Sequence, residues 1–251
     1  MSTLLLHGFT GSSQSWDEGL IDALASLGPP PVLVDLPGHG RHAGDTEPDH
    51  FTLEAVFQSI TEASAGEPVD LIGYSMGGRM ALAYAATFPD RVRRLVLESA
   101  SPGLATEEER ADRRGRDERL AMRLEDAGIE PFVNEWEKKP LFESQRALPP
   151  RVSARHHARR SLNDAGSLAA SLRGLGTGSQ PSYWDVLPTL TVPALLIVGE
   201  ADTKFLRIGA EMARAMPGAE LAPVPDAGHA VHLERPDEWL ALVVRFLSTG
   251  D

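Results

Sequence analysis

The sequence predicts an α/β fold, a parallel sheet covered on both faces by helices, and three observations carry that prediction. Short apolar runs alternate with helical patterns, the arrangement that gives parallel strands joined by right-handed crossovers. The run Val69-Asp70-Leu71-Ile72 passes through Gly73-Tyr74-Ser75-Met76-Gly77-Gly78 directly into the small-residue helix Arg79-Met80-Ala81-Leu82-Ala83-Tyr84-Ala85-Ala86. From about Ser101 to Thr189 the strand signals stop, and a series of helical segments rich in Arg, Glu and Ala takes over.

The elements follow in order. Thr3 to His7 is a strand that ends in the glycine-rich loop His7-Gly8-Phe9-Thr10-Gly11-Ser12-Ser13, and Trp16 to Leu27 is a helix closed by Gly28-Pro29-Pro30-Pro31. Val32 to Asp35 is the next strand, followed by the tight turn Leu36-Pro37-Gly38-His39-Gly40, in which His39 is structural. Phe51 to Ser64 is a helix with Leu53, Val56, Phe57 and Ile60 on one face. After the Ser75 turn and its helix, Arg94 to Glu98 is a fourth strand. Beyond the helical segment come a strand at Pro193 to Gly199, a helix at Ile208 to Met216, a strand at Glu220 to Val224 and a closing helix from Arg235 to Leu247. Six parallel strands are expected, since the chain begins directly at the His7-Gly8 strand.

Composition bounds the function. The 251 residues suit one large α/β domain or a core with a modest insertion. There is no cysteine, so disulfides and thiolate metal sites are excluded. The start is a short apolar run without a basic leader, a strand rather than a signal peptide. No stretch is long enough to cross a membrane, and the cytoplasm is the expected compartment. A net charge of −12 disfavours nucleic acid as a partner and repels anionic substrates at long range. Any anion must be captured by a local positive patch.

Gly73-Tyr74-Ser75-Met76-Gly77 reads G-x-S-x-G between a strand and a helix, the nucleophile elbow of α/β hydrolases. Its serine sits on a strained turn with the hydroxyl raised above the sheet, and Gly73 and Gly77 leave room for so sharp a bend. Asp202 and His229 each follow a later strand and complete the chain order nucleophile, acid, base. Asp226 and His232 compete for the last two roles but lack the usual spacing from a strand. The oxyanion donors expected are the amides of Met76, after the serine, and Phe9, after His7-Gly8. The expected fold is therefore the α/β-hydrolase fold, with a core of residues 1–100 and 190–251 and a helical lid at 101–189 inserted over the catalytic edge.

A triad names a toolkit rather than a reaction, and arginines discriminate. The lid holds 14 Lys and Arg against 14 Asp and Glu, leaving 10 against 22 elsewhere from chain totals of 24 and 36. All of the net negative charge thus lies outside the lid. Arg79 sits one helical turn after Ser75 and shares its face. Further arginines fill Arg110 to Arg123 and Arg155 to Arg160, where the plain alternative is solvated side chains paired with glutamates.

Several segments together resemble the 2-succinyl-6-hydroxy-2,4-cyclohexadiene-1-carboxylate synthases of menaquinone biosynthesis. They are Leu6-His7-Gly8-Phe9-Thr10-Gly11-Ser12, Asp35-Leu36-Pro37-Gly38-His39-Gly40, Gly73 to Arg79, Ser101-Pro102-Gly103-Leu104, Trp136-Glu137-Lys138-Lys139-Pro140-Leu141-Phe142, Gly199-Glu200-Ala201-Asp202-Thr203-Lys204-Phe205 and Ala227-Gly228-His229. The resemblance implies a lyase that removes pyruvate from a small tricarboxylate, with Ser75 acting as a base and neither metal nor organic cofactor required. It implies that Arg79, Arg113 and Arg160 bind the anion, with Arg159 or Arg155 as alternatives to Arg160, and that Tyr74 and Trp136 line the pocket. A monomer or weak homo-oligomer without membrane insertion is expected. The rival readings are a serine esterase or carbon–carbon hydrolase, which would form an acyl-enzyme and need no arginine cluster, and a non-catalytic ligand receptor.

Overall fold

The computed structural model describes residues 2–248; Met1 and residues 249–251, the outer ends of the expected core, lie outside the described residues. Six strands form one sheet: β1 (Thr3–Leu6), β2 (Val32–Val34), β3 (Val69–Tyr74), β4 (Val92–Glu98), β5 (Ala194–Gly199) and β6 (Ala219–Val224). Their order is β2-β1-β3-β4-β5-β6, and each neighbouring pair is parallel, as the alternating pattern predicted.

Both sheet faces are buried, which is why the strands read as continuous apolar runs. The pleat divides them residue by residue: Leu4, Leu6, Leu71, Leu95 and Leu196 join one core cluster, and Leu5, Ile72, Val96 and Ile197 the other. Helices α2 (Leu53–Ala63), α3 (Met76–Thr87) and α8 (Thr203–Ala215) supply the first cluster. Helices α1 (Glu18–Ala25) and α10 (Pro236–Ser248) supply the second, with Trp239 wholly buried.

Helix α2 begins after Thr52, whose hydroxyl accepts from the Ala55 amide, two residues later than expected, and two further helix starts are moved by an aspartate cap. Helix α1 begins after Asp17, whose carboxylate accepts from the Gly19 amide, so Trp16 turns into the core instead of opening the helix. Helix α8 begins five residues earlier than expected because Asp202 accepts from the Phe205 amide. A one-turn helix, α9 (Val231–Glu234), was not anticipated; at four residues it carries too little periodicity to be read.

Between β4 and β5 the chain forms α4 (Glu107–Ala127), α5 (Ile129–Trp136), a 3-10 stretch at Pro140–Ala147, α6 (Pro150–Ser161) and α7 (Ala165–Leu175). Helix α4 is polar on most of its surface. It opens with a reciprocal Thr106–Glu109 capping box and buries only Asp117, Ala121 and Leu124, one stripe with i, i+4, i+7 spacing. That stripe packs on Leu168, Ala169 and Leu172 of α7, and Arg173 bridges the two helices through Glu118 and Glu125. No helix of the described residues is long and apolar enough to cross a membrane.

Two buried histidines fasten the loop after β1 to the turn after β2. His7 Nε2 accepts from the Leu36 amide at 3.0 Å while its Nδ1 donates to the Gly8 carbonyl at 2.8 Å. His39 Nε2 accepts from the Thr10 amide at 3.2 Å and its Nδ1 donates to the Pro37 carbonyl at 2.9 Å. Each ring needs one bare nitrogen, so protonation would set a donor against an N–H. Burial pushes His7 from 6.5 to about 4 and His39 from 6.5 to about 3.

Because both pKa values are depressed on folding, the unfolded chain takes up protons first as the pH falls. Stability is therefore whole above the ordinary histidine value of 6.5 and is lost as the pH drops toward about 4 and then about 3. The melting temperature should fall between pH 6.5 and 5, and His39→Gln should flatten that slope; equal slopes would remove the histidines from the account. A second expectation concerns the elbow. A Cβ on Gly77 would strike the Leu6 carbonyl oxygen and lie 2.6 Å from that of His7. Gly77→Ala should cost about 1–3 kcal/mol in urea unfolding, the range for overpacking, whereas Gly19→Ala, which meets only a 3.4 Å contact, should not destabilise.

Candidate active site

The close approach of α3 to β1 creates the site. Ser75 joins β3 to α3 with φ 51° and ψ −106°, a conformation that L-residues other than glycine rarely adopt. Its amide donates to the Glu98 carbonyl at 2.8 Å and its own carbonyl accepts from Arg79, so the turn is held from both sides. His229 Nε2 lies 3.0 Å from Ser75 Oγ, and Asp202 Oδ2 accepts from His229 Nδ1 at 2.7 Å. The Asp202 carboxylate also caps α8, so one side chain fixes both the imidazole and the helix start. The structure thus brings Ser75, His229 and Asp202 into one hydrogen-bonded chain.

Met76 is the first residue of α3, where amides have no partner within the helix. The Gly8-Phe9 loop passes alongside: a Cβ on Gly8 would sit 3.5 Å from Ser75 Cβ and 2.7 Å from the Tyr74 ring. Glycine at this position is what lets the loop pass this close to the serine. Asn163, just after α6, donates to the Thr10 carbonyl at 2.9 Å and ties the inserted helices to this loop. The Phe9 ring packs edge-on against Trp136 at 5.3 Å.

Above Ser75 lies a cavity of about 240 Å³. Arg79, Arg113, Arg159, Arg160 and Lys204 line it, and among the described residues no aspartate or glutamate does. Arg79 is buried, bonded to Gln180 Oε1 at 2.5 Å and to the Leu175 carbonyl at 3.0 Å. Burial, and then the Arg113 charge, lower it to about 10, so it stays a cation at neutral pH. Arg113 pairs with Asp117 at 2.8 Å; Arg160 pairs with Glu137 at 2.8 Å and lies over the Phe142 ring. Tyr74 packs between the His229 and His232 rings, and burial raises its pKa. Tyr74 and Trp136 both line the cavity.

Of the alternatives to Arg160, Arg159 reaches the cavity, while Arg155 pairs with Asp17 at the surface and does not line it. His232 is bonded to Glu98 at 2.8 Å and Asp226 does not line the cavity, so neither belongs to the serine's hydrogen-bond chain. Sequence reasoning assigned no role to Lys204, Gln180, Asn163 or the Glu98–His232 pair. Lys204 carried a signal, since it lies two residues past Asp202 beside a strand end. The others are brought in by long-range packing and carried none.

Known proteins resemble this chain along nearly its whole length. Residues 3–242 match the model of the alpha/beta hydrolase family. A Bacillus subtilis (strain 168) protein provisionally named 2-succinyl-6-hydroxy-2,4-cyclohexadiene-1-carboxylate synthase is 41% identical, over 99% of this chain and 90% of its own. The Klebsiella pneumoniae protein of that name is 30% identical, over 98% of this chain and 93% of its own. The structure of MenH from S. aureus superposes with a TM-score of 0.87 at 33% identity, covering 98% of this chain and 93% of that one. With relatives at this identity matched from end to end, the chain belongs to the 2-succinyl-6-hydroxy-2,4-cyclohexadiene-1-carboxylate synthase family of α/β hydrolases.

Proposed function

We propose that the protein is a lyase of menaquinone biosynthesis that eliminates pyruvate from 2-succinyl-5-enolpyruvyl-6-hydroxy-3-cyclohexene-1-carboxylate. The observation that carries this reading is the cavity wall, where the described residues supply five Arg and Lys side chains and no carboxylate, in a chain of net charge −12. Desolvating that many cations together is costly unless the ligand brings matching negative charge. A tricarboxylate does so, and the named relatives support this choice of substrate.

In this mechanism His229 Nε2 takes the Ser75 hydroxyl proton while Ser75 Oγ removes the proton α to the succinyl ketone. Asp202 orients the imidazole and stabilises its charged form. The electron pair moves onto the ketone oxygen, which the Met76 and Phe9 amides hold. The enolate then collapses through the ring double bond and expels the enolpyruvyl oxygen with its bonding pair. The abstracted proton returns to that fragment, which leaves as pyruvate, so no co-reactant is consumed. Residues 101–189 serve as a lid that excludes water from the enolate. The enzyme works in the cytoplasm on a small soluble substrate.

Two tests address this reading. Ser75→Ala and His229→Ala should each lower turnover by about 10³-fold or more, since the triad acts as a unit. Mass spectrometry during turnover should find no acyl-enzyme; an accumulating adduct would mean that Ser75 is a nucleophile. Arg79→Ala, Arg113→Ala and Arg160→Ala should each reduce kcat/KM for the enolpyruvyl substrate roughly thirty-fold or more, the cost of stripping one partner from a desolvated charge pair. Cleavage of a small neutral ester, where measurable, should hardly change. Equal losses on both substrates would make the arginines structural.

A further inference from the structure

The cavity has two poles. At one, Arg79 rises from α3, on the sheet face built from α2, α3 and α8, and Arg113 lies close enough to both Arg79 and Lys204 to act on their charges. The other pole lies over the opposite face, that of α1 and α10, to which Trp16 belongs. Its wall is Ser15, Trp16, His156, Arg159, His232 and Leu233.

Two hydrogen-bond donors on that wall are buried without an acceptor: Trp16 Nε1 and Arg159 Nη1. Trp16 is 2% exposed, so its indole N–H meets the cavity rather than bulk solvent. His232 directs its Nδ1 to the two Glu98 oxygens at 2.8 and 2.9 Å, which leaves its Nε2 for the cavity side. Leaving a buried donor unmet is unfavourable, and a ligand that supplies the acceptor recovers that cost. No acidic side chain of the described residues stands on the cavity wall, so a charged acceptor has to come with the ligand. An anion with two oxygens on one carbon, a carboxylate, meets an arginine N–H and an indole N–H at once.

Ser15, His156, His232 and Leu233 also line a second cavity, which continues past Asp17, Arg151 and Arg155. These four residues therefore stand between the cavity above the serine and the second one. A fragment that must leave after each turnover is best held here, and the retained ring with its two carboxylates is left to Arg79, Arg113 and Lys204 at the first pole and to Arg160.

We propose that Arg159 and the Trp16 indole N–H form a subsite for the carboxylate of the small 2-oxo acid, held first within the enolpyruvyl group and then as free pyruvate. The identity of the acid rests on the lyase reading above; the existence of a carboxylate subsite does not.

The test is a titration of the intact protein, its four tryptophans labelled with 15N, with pyruvate and with its unreactive analogue oxamate, followed by indole N–H resonances. The Trp16 signal, identified by its loss in Trp16→Phe, should shift saturably. Arg159→Gln should weaken binding about ten-fold or more, as for loss of a charge-assisted pair, and Arg159→Lys should recover part of that loss. Lys204→Gln should leave the affinity unchanged, and the remaining indole signals report an intact fold in every variant. Pyruvate affinity independent of Arg159, or a shift confined to Trp136, overturns the subsite even in a protein that releases pyruvate from the enolpyruvyl substrate. Arg159-dependent binding in a protein without that activity upholds the subsite and rejects the lyase reading instead.

Discussion

The α carbon of Gly77 rests against the carbonyls of Leu6 and His7, and this contact between the start of α3 and the end of β1 governs the site. It brings the first turn of α3, with its free amides, beside the loop that carries Phe9. The same closeness forces Ser75 into φ 51° and lifts its hydroxyl toward His229. The strain is held by the sheet on one side and by the His7 and His39 hydrogen bonds on the other. Preorganised donors of this kind need no rearrangement when charge develops on the substrate oxygen.

Electrostatics impose the second constraint. The chain as a whole repels anions, yet the inserted helices and α8 direct a cluster of cations into one cavity. Long-range steering therefore opposes any anionic substrate, and under the proposed function capture occurs at contact distance, where fixed guanidinium forks outweigh the diffuse field. The protein partly neutralises the cluster itself: Asp117 engages Arg113, and Glu137 engages Arg160. These acids hold the cations in place without lining the cavity, so a bound carboxylate meets oriented donors.

Much of this was legible in the sequence because local patterns encode it. Strand alternation gave the parallel sheet, and the Gly73 to Gly77 spacing marked the serine turn. Asp202 and His229 could be placed from the strands that precede them. The arginines were only partly legible. Arg79 follows from helical spacing, but the inserted helices present many similar arginines, and tertiary placement separates them: Arg110, Arg114 and Arg123 pair with Glu107 or Glu135 outside the cavity, whereas Arg113, Arg159 and Arg160 enter it. No local rule distinguishes Arg155 from Arg159; the difference is that Asp17, 138 residues away, takes up Arg155. Gln180 and Asn163 were equally unreadable, since each acts through a partner about a hundred residues or more distant.

The central claim is that a serine turn built for acyl chemistry here abstracts a carbon-bound proton, because the cations above it select a tricarboxylate. The most direct measurement follows pyruvate and the conjugated ring product together after the enolpyruvyl substrate is mixed with the enzyme. The account predicts that the two appear in equal amounts and at the same rate, with loss of both in Ser75→Ala. Enzyme that leaves this substrate intact while hydrolysing simple esters would contradict it.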